Sequence, residues 1–455
     1  MTPEILNKYN VPVPRYTSYP PANFFNESFT TDSYREALIE SNGQIPELIS
    51  VYIHIPFCYQ MCYYCGCNSQ ILKDKHRVSE YISALMKEIK MILPLLNCHR
   101  KISQIHYGGG TPTSQPVSTL TELNNLILSE FDCIENPEIA IECHPGYMDE
   151  QYWNDLITSG FNRVSIGIQD FNDEVLKVSN RKPPLFPIEN IVEMLKDNGL
   201  SLNMDFIYGL PLQTPDTFAD TIEKAISLQP DRIVTFSYAH VPWVNELQRN
   251  LEKAGLPSVE VKNQLFETAK KRLMEGGYKS VGLDHFVLPD DELYKAQQNK
   301  QLHRNFQGYC TRRTTGQVYA FGITGISQLT TAYSQNTKDL SAYIEKINNG
   351  EFPILKGYVL NNEEQITREV VTELMCNYTV HWDEIAKRMN ITKESVIKAL
   401  NYREETLADF VKDGIINYDG NRITVLPEAT PLVRNVAASL DKLMLNANNL
   451  YSKPV

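Results

Sequence analysis

The chain has 455 residues, more than one simple core usually serves, so two domains or one large domain with appendages is expected. Its 42% hydrophobic and 22% charged residues are those of an ordinary globular protein, and 43 Lys and Arg against 55 Asp and Glu give a net charge of −12, which argues against a broadly basic surface for nucleic acid or anionic membrane. The first residues lack an apolar signal region and no run nears the roughly eighteen apolar residues of a membrane span, so a cytoplasmic protein without a membrane span is expected.

Residues 1–47 carry scattered prolines and aromatics. PRYTSYPP, from Pro14 to Pro21, is barred from a regular helix because its prolines fix φ and remove donors, so an extended N-terminal arm is predicted. From residue 49 the pattern turns regular. The strand-like runs are ISVYIHIPF (49–57), ISQIHYGG (102–109), EIAIECHP (138–145), RVSIGIQ (163–169), LNMDFIYGL (202–210) and RIVTFSYAHV (232–241), and helix-period segments at 77–96, 117–131, 150–160 and 216–229 lie between them. Such alternation builds βα units around a parallel sheet, and six units fall short of the eight of a closed barrel. The fold class is therefore α/β, a partial open (β/α)6 barrel with an extension over residues 48–360. Ligands in such sheets bind beyond the C-terminal strand ends. Cys58, the glycines 108–110, Glu142, Gln169, Asp205 and Ala239 each end a different predicted strand and should share one face.

After residue 360 the texture changes. EEQITREVVTELMCNY, HWDEIAKRM and TKESVIKALNYR read as helices, GIINYDGNRITVL as a hairpin turning at Asp-Gly, and ATPLVRNVAASLDKLMLN as a closing helical run. Residues 361–455 are thus predicted to form a mainly helical, winged-helix-like domain with a small hairpin. This part holds more Asp and Glu than Lys and Arg, which argues against DNA binding.

Four of the nine cysteines fall in CYQMCYYCGC, Cys58 to Cys67. In a reducing compartment a tight thiol group signals metal or redox chemistry, not disulfides. Cys58, Cys62 and Cys65 have the spacing C-x3-C-x2-C, which suits three corners of a cubane iron–sulfur cluster. Zinc competes, but it usually takes four protein ligands, and Cys67, one glycine beyond Cys65, is tight for a tetrahedral site on one loop. Glu142 and Asp205 suit a ribose diol, the plainer reading being rim salt bridges. His54 and His106 read as satisfied core histidines.

PRYTSYP, YIHIPFC with MCYYCGCN, HYGGGTPT, GFNRVSIGIQDFN, DFIYGLPLQTP, YAHVP, GLDHF and HRNFQGY together resemble the oxygen-independent coproporphyrinogen III oxidase (dehydrogenase) family of radical S-adenosylmethionine (SAM) enzymes, over nearly the whole chain. The resemblance implies a [4Fe–4S] cluster on Cys58, Cys62 and Cys65 with one iron open to SAM. It implies two SAM molecules and the decarboxylation of two propionates of coproporphyrinogen III to vinyl groups by 5′-deoxyadenosyl radicals, giving protoporphyrinogen IX. Tyr52, Gly109, Glu142 and Ile326 are the implied contacts to the first SAM, and Gly110, Thr111, Gln169, Arg181, Asp205 and Ala239 to the second. Tyr64 would lie near the adenine and Gln307 in the active site. A reduced flavodoxin- or ferredoxin-type electron donor and a monomer are also expected.

Arg181 suits a carboxylate through its planar fork, with a surface arginine as the plainer reading. The resemblance makes Arg304 of HRNFQGY a carboxylate partner, and Arg15 of the arm is another. The arm, with Arg15, Tyr16 and Tyr19, is expected to cap the site, the bland alternative being a strap on the surface. Cys67 lies outside the family's ligand pattern and is a candidate for a functional role. The chain departs from the family at Cys143 and His144, and at Arg312 and Arg313, which would bind propionates or signal another tetrapyrrole. Two other functions stay open at this stage: a haem-modifying or ring-opening radical SAM methyltransferase, and a haem-carrying chaperone of the same family, against which the arm and HRNFQGY argue.

Overall fold

The computed structural model describes residues 3–446 and 451. Its centre is a run of six strands side by side in chain order and all parallel: β1 (Ile49–Ile55), β2 (Ile102–Gly109), β3 (Cys133–Cys143), β4 (Arg163–Gln169), β5 (Ser201–Tyr208) and β6 (Arg232–Ser237). Intervening helices begin where capping chemistry allows. Asp149, Asn172 and Thr214 accept from backbone N–H groups to open Glu150–Ile157, Asp173–Val178 and Pro215–Leu228, the last also having proline at its first position.

Parallel strands covered on both faces usually read as continuous apolar runs. Here they alternate. Val51, Ile53, Ile55, Ile105, Val164, Ile166, Leu202 and Met204 are fully buried against the helices. Their neighbours Ser50, Tyr52, His54, Gln104, His106, Glu142, Ser165, Asn203 and Asp205 occupy the other face, and half-buried and buried residues alternate along β4 and along β5 up to Ile207. A polar inner face is what a ligand-binding side of such a sheet needs. Its floor is closed by a network in which Gln104 Nε2 and Arg163 Nε donate to Glu138 at 3.3 and 2.7 Å, while Arg232 donates to Asp291 at 2.7 Å.

The sheet is wider than the six predicted units. A seventh parallel strand, Gln317–Phe321, pairs with β1 and leads into antiparallel strands Ile326–Gln328, Ala332–Asn336 and Ile354–Val359. At the other edge β6 pairs with His285–Val287, and that strand with Lys279–Val281. QVYAF is buried at every position, so it has no alternation to reveal it. Glu88, buried on helix Lys75–Ile92, fastens this extension to the barrel. It accepts from the Tyr343 hydroxyl at 2.6 Å and from Gly322 N–H and Asn336 Nδ2 at 2.7 Å each. Burial pushes its carboxyl up to about 7 despite these donors.

The C-terminal part has helices Asn362–Asn377, Trp382–Met389, Lys393–Ala399 and Glu404–Lys412, the last not anticipated. The predicted hairpin, Ile416–Tyr418 with Arg422–Val425, turns at Asp419 and Gly420, whose φ of +85° favours glycine. Thr379–His381 adds a third strand.

The N-terminal segment is extended around PRYTSYPP but also holds helices Pro3–Tyr9 and Thr31–Glu40, the second opened by a capping box at Thr30. It straddles both cores. Phe29, Tyr34, Ala37 and Leu38 join the barrel core, whereas Val13, Tyr16, Tyr19 and Phe25 join that of the C-terminal helices. Tyr16 and Tyr19 were expected over the site. They turn instead into the C-terminal core, where their hydroxyls donate to Asp441 at 2.9 and 3.1 Å. Among the described residues no helix is long and apolar enough to cross a membrane.

Candidate radical SAM site

The cysteine loop leaves β1 at its C-terminal end, and Phe57–Cys58 pairs with Gln70–Ile71. Two other loops strap it down. Asn180 donates to the Met61 carbonyl at 2.8 Å, and Tyr63 N–H to that of Ser179 at 3.0 Å. From the loop after β6, Asn245 donates to the Cys65 carbonyl at 2.8 Å and Gln248 to that of Tyr64 at 3.3 Å. Cys58 and Cys62 are buried, Cys65 is partly so and Cys67 is exposed.

Each sulfur of the predicted triad already has a polar neighbour. The Thr111 hydroxyl donates to Cys58 Sγ at 3.3 Å, Arg181 Nη1 to Cys62 Sγ at 3.8 Å and the Cys67 N–H to Cys65 Sγ at 3.4 Å. The Cys67 thiol leads the influences that bring Cys65 down to about 6. Donors facing thiolates fit the chemistry of an iron–sulfur cluster. Among the described residues no three His, Cys, Asp or Glu side chains gather as ligands around one metal ion.

The glycines 108–110 let the site close up. A Cβ on Gly108 would lie 2.9 Å from Glu142 Oε1 and 3.1 Å from the Tyr52 ring, one on Gly109 2.8 Å from the His54 ring, and one on Gly110 2.6 Å from the Pro56 carbonyl and 3.0 Å from Cys58 Sγ. Gly109 also has a φ of +117°. Tyr52 stacks on His106 at 6.0 Å and meets His54 Nδ1 at 3.2 Å through its hydroxyl. His106 Nε2 lies 3.1 Å from Glu142 Oε1; burial alone would lower His106, and Glu142 together with the charges of Glu138 and Asp205 outweighs it and raises it. Glu142 is thus paired with His106, and among the described residues it forms no Arg or Lys salt bridge.

A second carboxylate stands farther along the inner face. Asp205 accepts from Ser165 Oγ at 2.7 Å and Asn203 Nδ2 at 2.9 Å, and burial pushes it up to about 6 despite them. Arg181 Nη2 donates to the Gly167 carbonyl, and a Cβ on Gly167 would meet both Gln169 Nε2 and Arg181 Nη2 within 3 Å. Gln169 (φ +72°) and Arg181 thus sit together beside Cys62. The Ala239 carbonyl accepts from Gln248 at 3.3 Å, in the loop that clamps Cys65.

Other predicted residues lie differently. Tyr64, expected near the adenine, contributes its ring to an apolar group with Leu210, Tyr238 and Leu251, as a packing tyrosine does. Ile326 packs against the C-terminal core. Gln307 sits at the tip of the hairpin Leu302–Asn305 and Gly308–Thr311, its amide donating to the Val51 carbonyl at 2.8 Å, so the hairpin lies against the barrel's inner strand. Arg304 lies 4.9 Å over the Tyr309 ring, with the Asp284 charge nearby.

The basic departures are accounted for. Arg312 donates to buried Glu373 at 2.7 Å, and Arg313 to Glu292 and the Glu135 carbonyl at 3.2 Å each, so neither is free for a propionate. His144 is buried, accepts from Gly146 N–H at 3.1 Å and is held down to about 2 by burial, a neutral turn-former. Cys143 packs in the barrel core. Missed from sequence were Asn245, Gln248, Ser165, Asn203 and the pairing of His106; the inner-face alternation of β4 and β5 could have exposed Ser165 and Asn203.

The radical SAM superfamily matches residues 52–225. The oxygen-independent coproporphyrinogen III oxidase of Synechocystis is 39% identical over 99% of this chain and 97% of its own length, and that of Escherichia coli 36% over 96% and 94%. The solved structure of coproporphyrinogen III oxidase from Escherichia coli, described as a radical SAM enzyme, superposes with a TM-score of 0.87 at 35% identity, covering 94% of this chain and 97% of that one. The chain is therefore a member of the oxygen-independent coproporphyrinogen III oxidase family of radical SAM proteins.

Proposed function

We propose that the chain decarboxylates two propionates of coproporphyrinogen III to vinyl groups, giving protoporphyrinogen IX without oxygen. The observation that carries this is the opening of the cysteine loop onto a polar inner wall with two separate, donor-supported carboxylates, Glu142 and Asp205. When bound, the [4Fe–4S] cluster and SAM supply a 5′-deoxyadenosyl radical. Cys58, Cys62 and Cys65 would hold the cluster. Glu142 and Asp205 would each accept a ribose diol, and Arg181 would meet a SAM carboxylate beside Cys62. Gln307, on a hairpin held to β1, would bound the substrate space. Each propionate gives up a hydrogen atom from its β-carbon to a 5′-deoxyadenosyl radical, then CO2, and passes one electron to an external acceptor, leaving a vinyl group. The chain's residues orient that carbon and keep water out.

An electron from a reduced flavodoxin- or ferredoxin-type donor, a monomeric state and a cytoplasmic setting complete this reading. So do functional boundaries near residues 47 and 360. The relatives' names do not favour a methyltransferase or a haem chaperone. The test is anaerobic incubation of cluster-loaded protein with SAM, a reductant and coproporphyrinogen III, followed by mass analysis. Two successive losses of CO2 are expected. SAM cleavage with an unchanged tetrapyrrole would refute the proposal.

Asp205 makes a pH prediction. Burial holds its carboxyl near 6; Ser165 and Asn203 oppose this, Glu142 adds to it and His285 counters it. The folded state therefore holds this proton more tightly than the unfolded chain, so ionised Asp205 costs stability above about pH 6, and diol donors would offset that cost. As an acceptor for two hydroxyls it must be ionised. SAM should saturate near two per chain at pH 7.5, with the weaker site losing about tenfold in affinity at pH 5, because the ionised fraction falls tenfold per unit below the pKa. Asp205→Asn should flatten this dependence in equilibrium dialysis. A dependence unchanged in Asp205→Asn would remove Asp205 from the site.

A further inference from the structure

Beside Cys58 the cysteine loop reaches the surface through aromatic, aliphatic and basic side chains. Tyr59, next to Cys58, is 43% exposed. Its ring meets that of Tyr147 at 4.6 Å, and the Lys182 ammonium stands 4.7 Å over the Tyr147 ring. Both tyrosines are held in place, because the Tyr59 hydroxyl donates to the Ser114 carbonyl and the Tyr147 hydroxyl to Gln60 Oε1, each at 3.3 Å. On the other flank Ile71, also 43% exposed, lies in register with Cys58, and Leu72 N–H donates to the Cys58 carbonyl at 2.8 Å. The chain runs on from there into exposed Lys73 and Lys75.

The nearby ion pairs are those of His76 and Arg77 with Glu80 and of Lys177 with Glu174; among the described residues Lys73, Lys75 and Lys182 have none. The acidic residues beside them are engaged at helix starts, where Asp74 accepts from His76 N–H and Asp149 from Tyr152 N–H, each at 2.9 Å. The patch is thus basic on a chain whose net charge is −12. An acidic partner meets repulsion from the chain as a whole and attraction here, which fixes where and how it docks. The reaction class supplies the partner's chemistry. In the proposed function SAM takes the open iron, and the cluster must still receive one electron from outside. Electron transfer falls steeply with distance, so the carrier has to dock beside a cluster ligand. Cys58 is such a ligand, and both its sequence neighbour Tyr59 and its register partner Ile71 are exposed.

We propose that Tyr59, Tyr147 and Ile71, with Lys73, Lys75 and Lys182, form the docking surface for a small acidic electron-carrier protein of the flavodoxin type. One electron leaves the reduced carrier, which is oxidised by one electron, and reduces the cluster by one. Aromatic and aliphatic contacts with charges beside them match the make-up of a protein interface. The surface rests on the proposed function, which requires an outside electron. The plainer reading, a set of solvated lysines, makes a different prediction: partner binding would not depend on them.

The test is calorimetric titration of oxidised flavodoxin into the cluster-loaded full chain, beside turnover of coproporphyrinogen III driven either by reduced flavodoxin or by dithionite. Exchange of the three lysines together, Lys73→Glu, Lys75→Glu and Lys182→Glu, should weaken flavodoxin binding by about tenfold, and the wild-type affinity should fall as salt rises, because exposed charges are screened. Flavodoxin-driven turnover of this variant should fall while dithionite-driven turnover stays unchanged. Exchange of the same three for arginine should keep both. Binding that is absent in the wild type or unchanged in the glutamate variant overturns the docking surface. So does an equal fall with both reductants, which would place the lysines in the support of the cluster loop. Neither outcome touches the proposed function. Absence of dithionite-driven conversion by the wild type overturns that function, whereas the titration, which needs no turnover, still decides the docking.

Discussion

Changing Cys58, Cys62 or Cys65 to Ala is expected to abolish the iron–sulfur absorbance and all product formation, while Cys67→Ala keeps the absorbance. Anaerobically prepared wild-type protein should carry about four irons per chain. The distinction follows from which atoms of Cys67 face the cluster loop. Its backbone N–H donates to Cys65 Sγ at 3.4 Å, and this donor survives replacement by Ala. Cys67 as a residue is exposed, whereas Cys58 and Cys62 are buried and accept from Thr111 and Arg181. Loss of the Cys67 thiol removes only a tuning influence on Cys65, so a changed reduction potential with an intact iron count is the expected residue of that mutation. Iron analysis and visible absorbance of the four variants provide the check. Equal iron loss in Cys67→Ala would make the loop a four-thiol site.

What could be read from the chain itself has a clear physical boundary. β1, β2 and β4 to β6 were legible because each combines β-branched residues with a change of face at every step, bounded by turn chemistry. The candidate triad could be picked out because three cysteines within eight residues are a local pattern. What failed depended on contacts between distant segments. Nothing local tells that Arg312 finds Glu373, 61 residues away, or that Tyr16 finds Asp441, 425 residues away. The arm was read as a lid because aromatics and an arginine suit a macrocycle, yet the same aromatics suit a neighbouring core equally well. His106 was read as a satisfied core histidine; it is satisfied, but by Glu142, a candidate ligand group, so its environment belongs to the site.

The arm supplies the other large effect, and the structure changes its sign from a loss of capping to a loss of folding. Deleting residues 1–25 is expected to unfold the C-terminal helices while the barrel strands persist. The deletion removes Val13, Tyr16, Tyr19 and Phe25, all buried in the C-terminal core. At about 1.5–3 kcal/mol for each such side chain, the loss is on the order of 6–12 kcal/mol, comparable with the whole stability of a domain. It also strips Asp441 of two tyrosine hydroxyls and removes the Val13 and Pro14 carbonyls to which the buried Arg434 donates, and a buried group deprived of its partners costs further stability. Phe29 and helix Thr31–Glu40 remain, so the barrel keeps its own share of the N-terminal segment. Amide hydrogen exchange should show lost protection across 362–440 and retained protection in β1, β2 and β4. Retained protection in both regions would mean that the C-terminal core closes without the arm.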